Sequence, residues 1–329
     1  MLTSQRDKLP RTFIAALFDL LVAAHFALNF TRLGAPFLDL EKFIAGSERF
    51  PFQYRILTAP IFAFLLRIFA DFDFGSALPH FPDYLASAEA LAYFAVIWAS
   101  FFIALLLFRK ISAEVFAGPA AMASYFLFLA LSYLWFILNP GLSFLLPYDL
   151  PALAFCAASL LCVLRGRWYL LGAVFVLATL NRETSYLIVL LLLVRWYLGY
   201  DRSHALLVAA ILGGLWLVLK LALVFWFWPA SGGLIISAVR IGYNFATLAK
   251  PWQWPTLWPL ILPVAVCVWG CRIAAARPWA ITATVGFLSL FCVANITELR
   301  AYGDLIPFVV LAMIAVIAHR QRPERLTPS

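Results

Sequence analysis

The chain alternates long apolar runs with short polar connections from near its first residue to near its last. A helix needs about 20 mostly apolar residues to cross a bilayer. Uninterrupted runs of roughly that length cover 13–31, 84–108, 117–138, 204–228, 257–273, 279–296 and 304–319. Each of these runs predicts a membrane-spanning helix.

The region from 150 to 199 is equally apolar, but two polar interruptions divide it. The first is Arg165-Gly166-Arg167 and the second is Asn181-Arg182-Glu183. They predict three short helices over 150–165, 168–180 and 185–199, which brings the number of spans to ten. A single tilted span over 168–199 is the alternative, and it would move the later connections to the other side of the membrane.

Composition argues against a soluble protein. Hydrophobic residues make up 65% of the chain and charged residues 12%, against roughly 45–50% and about 25% in typical soluble domains. With a mean hydropathy of +0.94, the chain has too few polar side chains to cover a water-facing surface. The apolar runs are too long and too continuous for a transmembrane β-barrel. We therefore predict an all-α, polytopic helical membrane protein that forms one domain over 1–329.

The net charge of +8 does not indicate nucleic-acid binding, because the basic residues lie in small groups between apolar runs. Cytoplasmic connections of membrane proteins are rich in Lys and Arg. If the apolar run 56–70 does not cross, more than half of the 24 basic residues fall on one side and more than half of the 16 acidic residues on the other. This predicts a multi-pass protein of the cytoplasmic (inner) membrane with both termini in the cytoplasm.

The same arrangement leaves an extracytoplasmic first loop over about 32–83. Within it, the segment 54–70 combines an apolar face with Arg55 and Arg67. This composition is typical of an amphipathic helix that lies in the membrane interface. The loop is therefore expected to contact membrane lipids.

Ionisable residues near membrane depth are costly, so they are the first places to look for function. The dense polar groups all fall on the predicted outer side: Asp39 and Glu41; Arg55; Tyr148 and Asp149; Asn181, Arg182 and Glu183; and Glu298, Arg300, Tyr302 and Asp304. Each group also has a structural interpretation. Asp149 can cap a helix N-terminus, Arg182 and Glu183 can form an ion pair, and the last group can join two helices. An anion site at Arg182 is the interpretation we prefer for the group that contains it.

Other polar residues give weaker signals. Asp71 and Asp73 have a spacing that can hold a divalent metal ion, but they lack further oxygen ligands at a recognisable spacing. We therefore predict no metal or other cofactor. Asp19, His25 and Lys220 stand alone in apolar runs and are interpreted as local hydrogen-bonding or packing residues. The five cysteines are interpreted as small buried hydrophobes.

The architecture resembles the GT-C superfamily of integral membrane glycosyltransferases. The strings Phe52-Gln53-Tyr54-Arg55-Ile56-Leu57, Tyr148-Asp149-Leu150-Pro151-Ala152-Leu153 and Leu180-Asn181-Arg182-Glu183-Thr184 are similar to stretches in bacterial membrane proteins grouped near that superfamily. The resemblance covers the architecture of most of the chain. It implies transfer of a sugar from a polyprenyl-phosphate carrier to an acceptor on the extracytoplasmic face. Unlike many members, this chain is expected to carry no large soluble C-terminal domain.

The resemblance also implies roles for the outer polar residues. Asp39, with Glu41 as the alternative, matches the acidic residue that deprotonates the acceptor hydroxyl. Arg55, Arg182 and Arg300 would hold the lipid phosphate, on which charge builds in the transition state. The remaining outer residues would orient sugar hydroxyls or those arginines; they are Tyr148, Asp149, Asn181, Glu183, Glu298, Tyr302 and Asp304.

Two other functions fit the same pattern. A transporter or lipid-carrier flippase also buries charges, although usually near the membrane midplane and between internal repeats. A non-catalytic subunit of a larger membrane assembly would need no converging carboxylates and arginines. Because the polar groups concentrate on one side and the chain has no internal repeat, the sequence favours the glycosyltransferase.

Overall fold

The structure, a computed structural model, describes residues 8–36, 38–48, 52–71, 85–138, 144–200, 202–227 and 239–321. Most of these residues are helical. Five helical segments are long and apolar enough to cross a membrane, and they cover Phe13–Leu33, Ala88–Val115, Pro119–Phe136, His204–Phe227 and Leu299–Gln321. The described part of the chain is therefore that of a helical membrane protein, as the composition predicts.

The α-helices are numbered in chain order. Helices α1 to α7 cover Lys8–Leu33, Leu40–Ile44, Thr58–Phe69, Ala88–Val115, Pro119–Phe136, Asp149–Leu164 and Trp168–Asn181. Helices α8 to α13 cover Tyr186–Tyr197, Arg202–Phe227, Ile241–Leu248, Trp254–Gly270, Arg277–Val293 and Ile306–Gln321. 3₁₀ turns cover Phe52–Tyr54, Glu183–Ser185, Pro251–Gln253 and Leu299–Leu305. Two short strands, β1 (Ala35–Pro36) and β2 (Phe144–Leu145), pair in parallel.

Every run predicted to be a membrane helix is helical in the structure, with bounds that differ by a few residues. The largest difference is in α4, which begins at Ala88 and extends to Val115. Ser87 sets its start, because the Ser87 hydroxyl accepts a hydrogen bond from the backbone N–H of Ala90 at 3.1 Å as an N-cap does. The predicted interfacial helix is α3. The number of crossings and the side of the membrane remain predictions.

The predicted interruption after α7 is present. Arg182 has an extended backbone (φ −158°, ψ 147°), and a 3₁₀ turn leads from it into α8. Tyr186 at the start of α8 bonds Ser289 of α12, and the next residue, Leu187, lies beside Gly286 one turn earlier on α12. The extended residue and the 3₁₀ turn make α7 and α8 two separate helices, and α8 runs antiparallel to α12.

The two ends of the helical bundle carry different polar residues. Asp149 begins α6 and bonds Arg300, whereas Arg165 follows the last residue of α6 and bonds Glu114 near the end of α4. A helix of 16 residues separates these two contacts by about 24 Å. We call the end with Asp149 and Arg300 the polar end. Phe116, just after α4, packs beside Ala276 and Val316. The basic residues near these three positions, which are predicted to be cytoplasmic, therefore lie at the end opposite the polar end.

Helix α11 contains two internal prolines, Pro259 and Pro263. Pro263 has no N–H, so the carbonyl of Pro259 lacks the partner that a regular helix would supply. The indole N–H of Trp135, a fully buried side chain of α5, donates to that carbonyl at 2.9 Å. Backbone groups that proline frees inside a bilayer need such partners. The bond therefore fixes α5 against α11.

Replacing Trp135 by Phe tests this contact. The Trp135→Phe variant keeps an aromatic ring but leaves the Pro259 carbonyl unpaired, so we expect the free energy of unfolding to fall by about 1–3 kcal/mol. The measurement is the melting temperature of the purified protein in detergent. Trp252→Phe is the control, because Trp252 is 74% exposed and should tolerate the change. Equal melting temperatures for the two variants would contradict the proposed role.

Labelling of single cysteines tests which side of the membrane each end faces. Ser47 lies after α2, near the polar end, and Lys110 lies at the opposite end; both are exposed. In a cysteine-free background on intact cells, we expect an impermeant thiol reagent to label Ser47→Cys and not Lys110→Cys. The positive-inside rule gives this expectation. Labelling of Lys110→Cys alone would reverse the predicted orientation.

Candidate functional site

Four segments that are distant in the sequence meet at the polar end. They are the turn before α3, the start of α6, the break between α7 and α8, and the 3₁₀ turn before α13. These segments carry the residues predicted to bind substrate, namely Arg55; Tyr148 and Asp149; Asn181, Arg182 and Glu183; and Glu298, Arg300, Tyr302 and Asp304.

Asp149 is at the centre of this group. Its side chain is fully buried, and it faces two arginines instead of capping α6. The Oδ2 atom accepts a hydrogen bond from Arg300 Nη1 at 2.9 Å, and Oδ1 lies 3.4 Å from Arg182 Nη1. One carboxylate thus pairs with arginines from two different segments.

Arg182 and Arg300 extend the network in opposite directions. Arg182 Nη1 lies 3.3 Å from Oδ2 of Asp304, and its Nη2 donates to the carbonyl of Ala301 at 3.1 Å. Arg300 Nη2 donates to Glu298 at 3.1 Å. The buried ion pairs therefore run in the order Glu298, Arg300, Asp149, Arg182, Asp304.

The break between α7 and α8 is held by side chains from both sides. Asn181 Nδ2 donates to the carbonyl of Tyr148 at 2.9 Å, and the Thr184 hydroxyl donates to Asp304. Irregular backbone inside a membrane protein needs such partners. Their positions explain how five consecutive polar residues, 181–185, interrupt an apolar run without exposing backbone to lipid.

Arg182 and Glu183 are neighbours in the sequence, but they pair with different partners. Glu183 accepts hydrogen bonds from Arg55, at 2.5 Å from Nη2 and 3.3 Å from Nε. The Arg55 guanidinium also lies 4.1 Å from the centre of the Tyr148 ring. This cation–π contact fixes Arg55 against the start of α6.

Several buried polar atoms of the polar end have no hydrogen-bond partner among the described residues. They are the Nε atoms of Arg182 and Arg300, the hydroxyls of Tyr148 and Tyr302, Oδ1 of Asn181 and Oδ1 of Asp304. Native proteins leave few such atoms, and each one needs an explanation. The polar end therefore has donors and acceptors to spare for a bound polar molecule.

A small cavity lies beside Arg182 and Asp304. Its volume of about 10 Å³ is roughly enough for one water molecule. Cys156, Ser159 and Thr184 contribute to its lining, and the fully buried Ser159 hydroxyl has no hydrogen-bond partner within the part of the chain that the structure describes. The polar character of the site thus continues along α6 into the bundle.

The predicted base, Asp39, has a partner outside the buried network. It caps α2 by accepting from the backbone N–H of Lys42 at 3.1 Å, and its carboxylate lies 2.9 Å from Lys42 Nζ. The hydrogen bond from the Lys42 side chain lowers the pKa of the Asp39 carboxyl, which keeps it ionised at neutral pH. The Asp39 side chain is 44% exposed, and Glu41 is exposed as well.

The segment that carries Asp39 contacts the polar end at two points. β1 pairs with β2 just before Tyr148, and the ring of Phe43 in α2 lies 6.4 Å from the ring of Tyr148. Further along the first loop, the backbone N–H of Leu57 donates to the carbonyl of Leu180 at 3.3 Å. Asp39 therefore begins a short helix that packs against the same tyrosine as Arg55.

The sequence signal for a metal is only partly covered by the structure. Asp71 is exposed, and Asp73 lies outside the described residues. Within the described residues, no group of three or more His, Cys, Asp or Glu side chains is arranged to hold a metal ion. The Asp71 and Asp73 pair therefore neither supports nor contradicts the prediction of no metal.

Lys220 belongs to the polar end, which the sequence did not indicate. Its Nζ donates to the carbonyl of Thr179 at 2.9 Å, in the last turn of α7. One turn earlier on α9, the indole N–H of Trp216 donates to the carbonyl of Glu183 at 3.0 Å. A polar residue and a tryptophan four positions apart share a helix face. This spacing in the sequence could have indicated that Lys220 lies beside a polar site.

The other two polar residues that stand alone in the sequence also have partners on other helices. Asp19 bonds both Arg109 and Tyr125, which joins α1, α4 and α5 at the end opposite the polar end. His25 Nδ1 lies 2.8 Å from the Tyr133 hydroxyl. The interpretation of Asp19 and His25 as hydrogen-bonding residues agrees with these contacts, which reach beyond their own helix.

Asp149→Asn tests whether the buried network is a single electrostatic unit. The change removes the carboxylate that two buried arginines share but leaves each arginine its other carboxylate, so we expect a loss of about 1–3 kcal/mol in the free energy of unfolding. Melting of the purified protein measures it. Glu114→Gln is the control, because the Arg165–Glu114 pair is about one-third exposed on each side and should contribute about 1 kcal/mol or less. Similar melting of the two variants would show that the arginines do not depend on Asp149.

Comparison with known proteins does not assign a family to this chain. No family model, no curated protein and no solved structure matches it. Its function is therefore inferred from the residues of the polar end.

Proposed function

We propose that the protein is a membrane glycosyltransferase that moves a sugar from a polyprenyl-phosphate carrier to an acceptor on the extracytoplasmic face. The main support is the convergence of three arginines and four carboxylates, from four separate segments, at one end of a helical bundle. Charges in such number are costly at membrane depth and are usually functional. The planar, permanently charged guanidinium is suited to phosphate.

The reaction explains why cations are needed. The acceptor hydroxyl oxygen attacks the anomeric carbon, the bond between that carbon and the phosphate oxygen breaks, and the hydroxyl proton passes to a carboxylate. The lipid phosphate leaves with one more negative charge than it had in the donor. Cations held in place before the reaction stabilise this charge. Arg55, Arg182 and Arg300 are our proposed phosphate-binding residues.

Asp39 is our proposed proton acceptor, with Glu41 as the alternative. Its carboxylate is ionised and accessible, and its helix packs against Tyr148 beside Arg55. Such a position suits a base that meets an acceptor arriving from the aqueous side. The residues proposed to orient the sugar are the remaining polar side chains of the site, namely Tyr148, Asp149, Asn181, Glu183, Glu298, Tyr302 and Asp304.

The proposed topology follows from this function. With ten spans in the inner membrane and both termini in the cytoplasm, the polar end would face the extracytoplasmic side. Glycosyltransferases of the GT-C superfamily use polyprenyl-phosphate sugars on that side. Ile61, Phe64 and Ile68 are exposed on α3, which suits a helix that lies against lipid. The donor lipid would then reach the site from the membrane.

Asp39→Asn is the central test of the proposal. Loss of the proton acceptor should lower sugar transfer by about 10²–10⁴-fold, while the melting temperature stays close to that of the wild type because Asp39 is exposed. The assay uses the full chain in lipid nanodiscs with a radiolabelled undecaprenyl-phosphate hexose, and it follows release of the sugar from the lipid in the presence of cell-envelope acceptors.

Two further variants sharpen this experiment. Glu114→Gln, at the opposite end, should transfer sugar at the wild-type rate. Glu41→Gln decides which acidic residue is the base, since a large loss there and not in Asp39→Asn would transfer the role to Glu41. Protein-dependent movement of the labelled lipid across the bilayer without sugar release would favour a flippase. No release and no movement would favour a non-catalytic subunit.

A further inference from the structure

The Arg55–Glu183 pair differs from the other ion pairs of the polar end in its exposure. The Arg55 side chain is 8% exposed, whereas that of Glu183 is 42% exposed. Arg182 is paired with carboxylates that are at most 1% exposed. Arg300 shares the fully buried Asp149 and also pairs with Glu298. Glu183 is therefore the carboxylate of this network with the best access to water.

This difference decides which arginine can change its partner. Moving Arg182 or Arg300 away would leave Asp149 as a buried carboxylate without its full compensation, which is strongly unfavourable. If Arg55 loses Glu183, the released carboxylate can be hydrated at the surface. Arg55 is thus the arginine for which exchange costs least.

The orientation of Arg55 does not depend on Glu183. Its guanidinium stacks on Tyr148 at 4.1 Å and lies 5.6 Å from the ring of Phe52. The Nε and Nη2 atoms face the two oxygens of Glu183. This pair of donors is the one that arginine uses to bind a phosphate in bidentate fashion. The donors would stay in place after the carboxylate had left.

A second cation is available to the displaced carboxylate. Lys220 lies one turn after Trp216, whose indole N–H donates to the Glu183 carbonyl, and Lys220 Nζ is held beside the break by its bond to the Thr179 carbonyl. An ammonium has three donors, so this bond leaves capacity for a carboxylate. Trp216 keeps the Glu183 backbone in place, so only the side chain needs to move.

We infer that Glu183 is an internal substitute for the ligand's phosphate: it occupies the Arg55 donors when the site is empty and yields them to the phosphate of a prenyl lipid on binding. This inference depends on the proposed function for the class of ligand. No covalent bond forms or breaks, since Arg55 only exchanges the carboxylate of Glu183 for the phosphate of the ligand. It makes Glu183 a competitor of the ligand, although the residue itself lies in the binding site.

Glu183→Gln tests the exchange directly, because glutamine keeps the size of the side chain and removes its charge. The probe is farnesyl phosphate, bound to the full chain in phosphatidylcholine nanodiscs, with farnesol and inorganic phosphate as separate arms. We expect Glu183→Gln to bind farnesyl phosphate about two- to fivefold more tightly than the wild type, since an ion pair that is exposed on its carboxylate side contributes modestly. Arg55→Gln should weaken binding about tenfold or more.

Control variants keep the result interpretable. The double variant Arg55→Gln/Glu183→Gln removes both charges, so it should fold even if either single variant does not, and it should bind farnesyl phosphate about tenfold or more weakly than the wild type. Glu114→Gln removes a carboxylate from a pair at the opposite end that is about one-third exposed, and it should leave affinity unchanged. Nanodiscs with added phosphatidylglycerol reveal whether lipid headgroups compete for Arg55, and inorganic phosphate reveals binding without a tail.

The outcomes separate this inference from the proposed function. Three results would each overturn the exchange. Glu183→Gln could bind farnesyl phosphate no more tightly than the wild type, or Arg55→Gln could bind it as tightly as the wild type. The third result is that neither the wild type nor Glu183→Gln binds farnesyl phosphate. The expected binding pattern without any sugar transfer would overturn the glycosyltransferase and leave the exchange intact. Sugar transfer that depends on Asp39, together with equal affinities of the wild type and Glu183→Gln for farnesyl phosphate, would overturn the exchange and leave the glycosyltransferase intact.

Discussion

The structure of the polar end depends on the neutralisation of charge in a medium of low dielectric constant. Asp149 is fully buried and serves Arg182 and Arg300 together. Neither arginine could remain buried without such a carboxylate, because the desolvation of an unpaired ion is too unfavourable. The start of α6, the break after α7 and the turn before α13 must therefore lie within a few ångströms of one another. The cavity and the unpartnered polar atoms of the site follow from this meeting of three segments.

A second constraint is that every backbone interruption inside the bundle needs a partner from another element. Trp135 supplies the donor that Pro263 lacks. Asn181 and Lys220 do the same around the break between α7 and α8. The side chains that support irregular backbone are thus few, polar and distant in the sequence. Because the network and these supports share the same break, the geometry of the site and the stability of the fold cannot vary independently.

The sequence predicted the helices well and the contacts poorly, for a physical reason. Membrane helices follow from local apolar length, so the runs and the interruption at Asn181 could be identified without any knowledge of packing. Ion-pair partners depend on three-dimensional proximity, and adjacent Arg182 and Glu183 turned out to have different ones. Lys220 looked isolated for the same reason. The sequence allowed the prediction that the polar groups assigned to the outer side would meet, because buried charges need partners. It did not indicate that Asp149 would be the carboxylate that two arginines share.

The order in which the chain is made has a consequence for the same charges. Asp149 and Arg182 pair with each other, and they enter the membrane well before Arg300 and Asp304 are synthesised, which give each of them a second ion-pair partner. During biogenesis the nascent bundle must therefore hold this pair without its full set of partners. The first loop meets a similar delay, since β1 has no partner until β2 emerges. Chains that terminate before residue 299 would keep the incompletely partnered pair and lack the segment that completes it, which would make such fragments natural targets for membrane proteases.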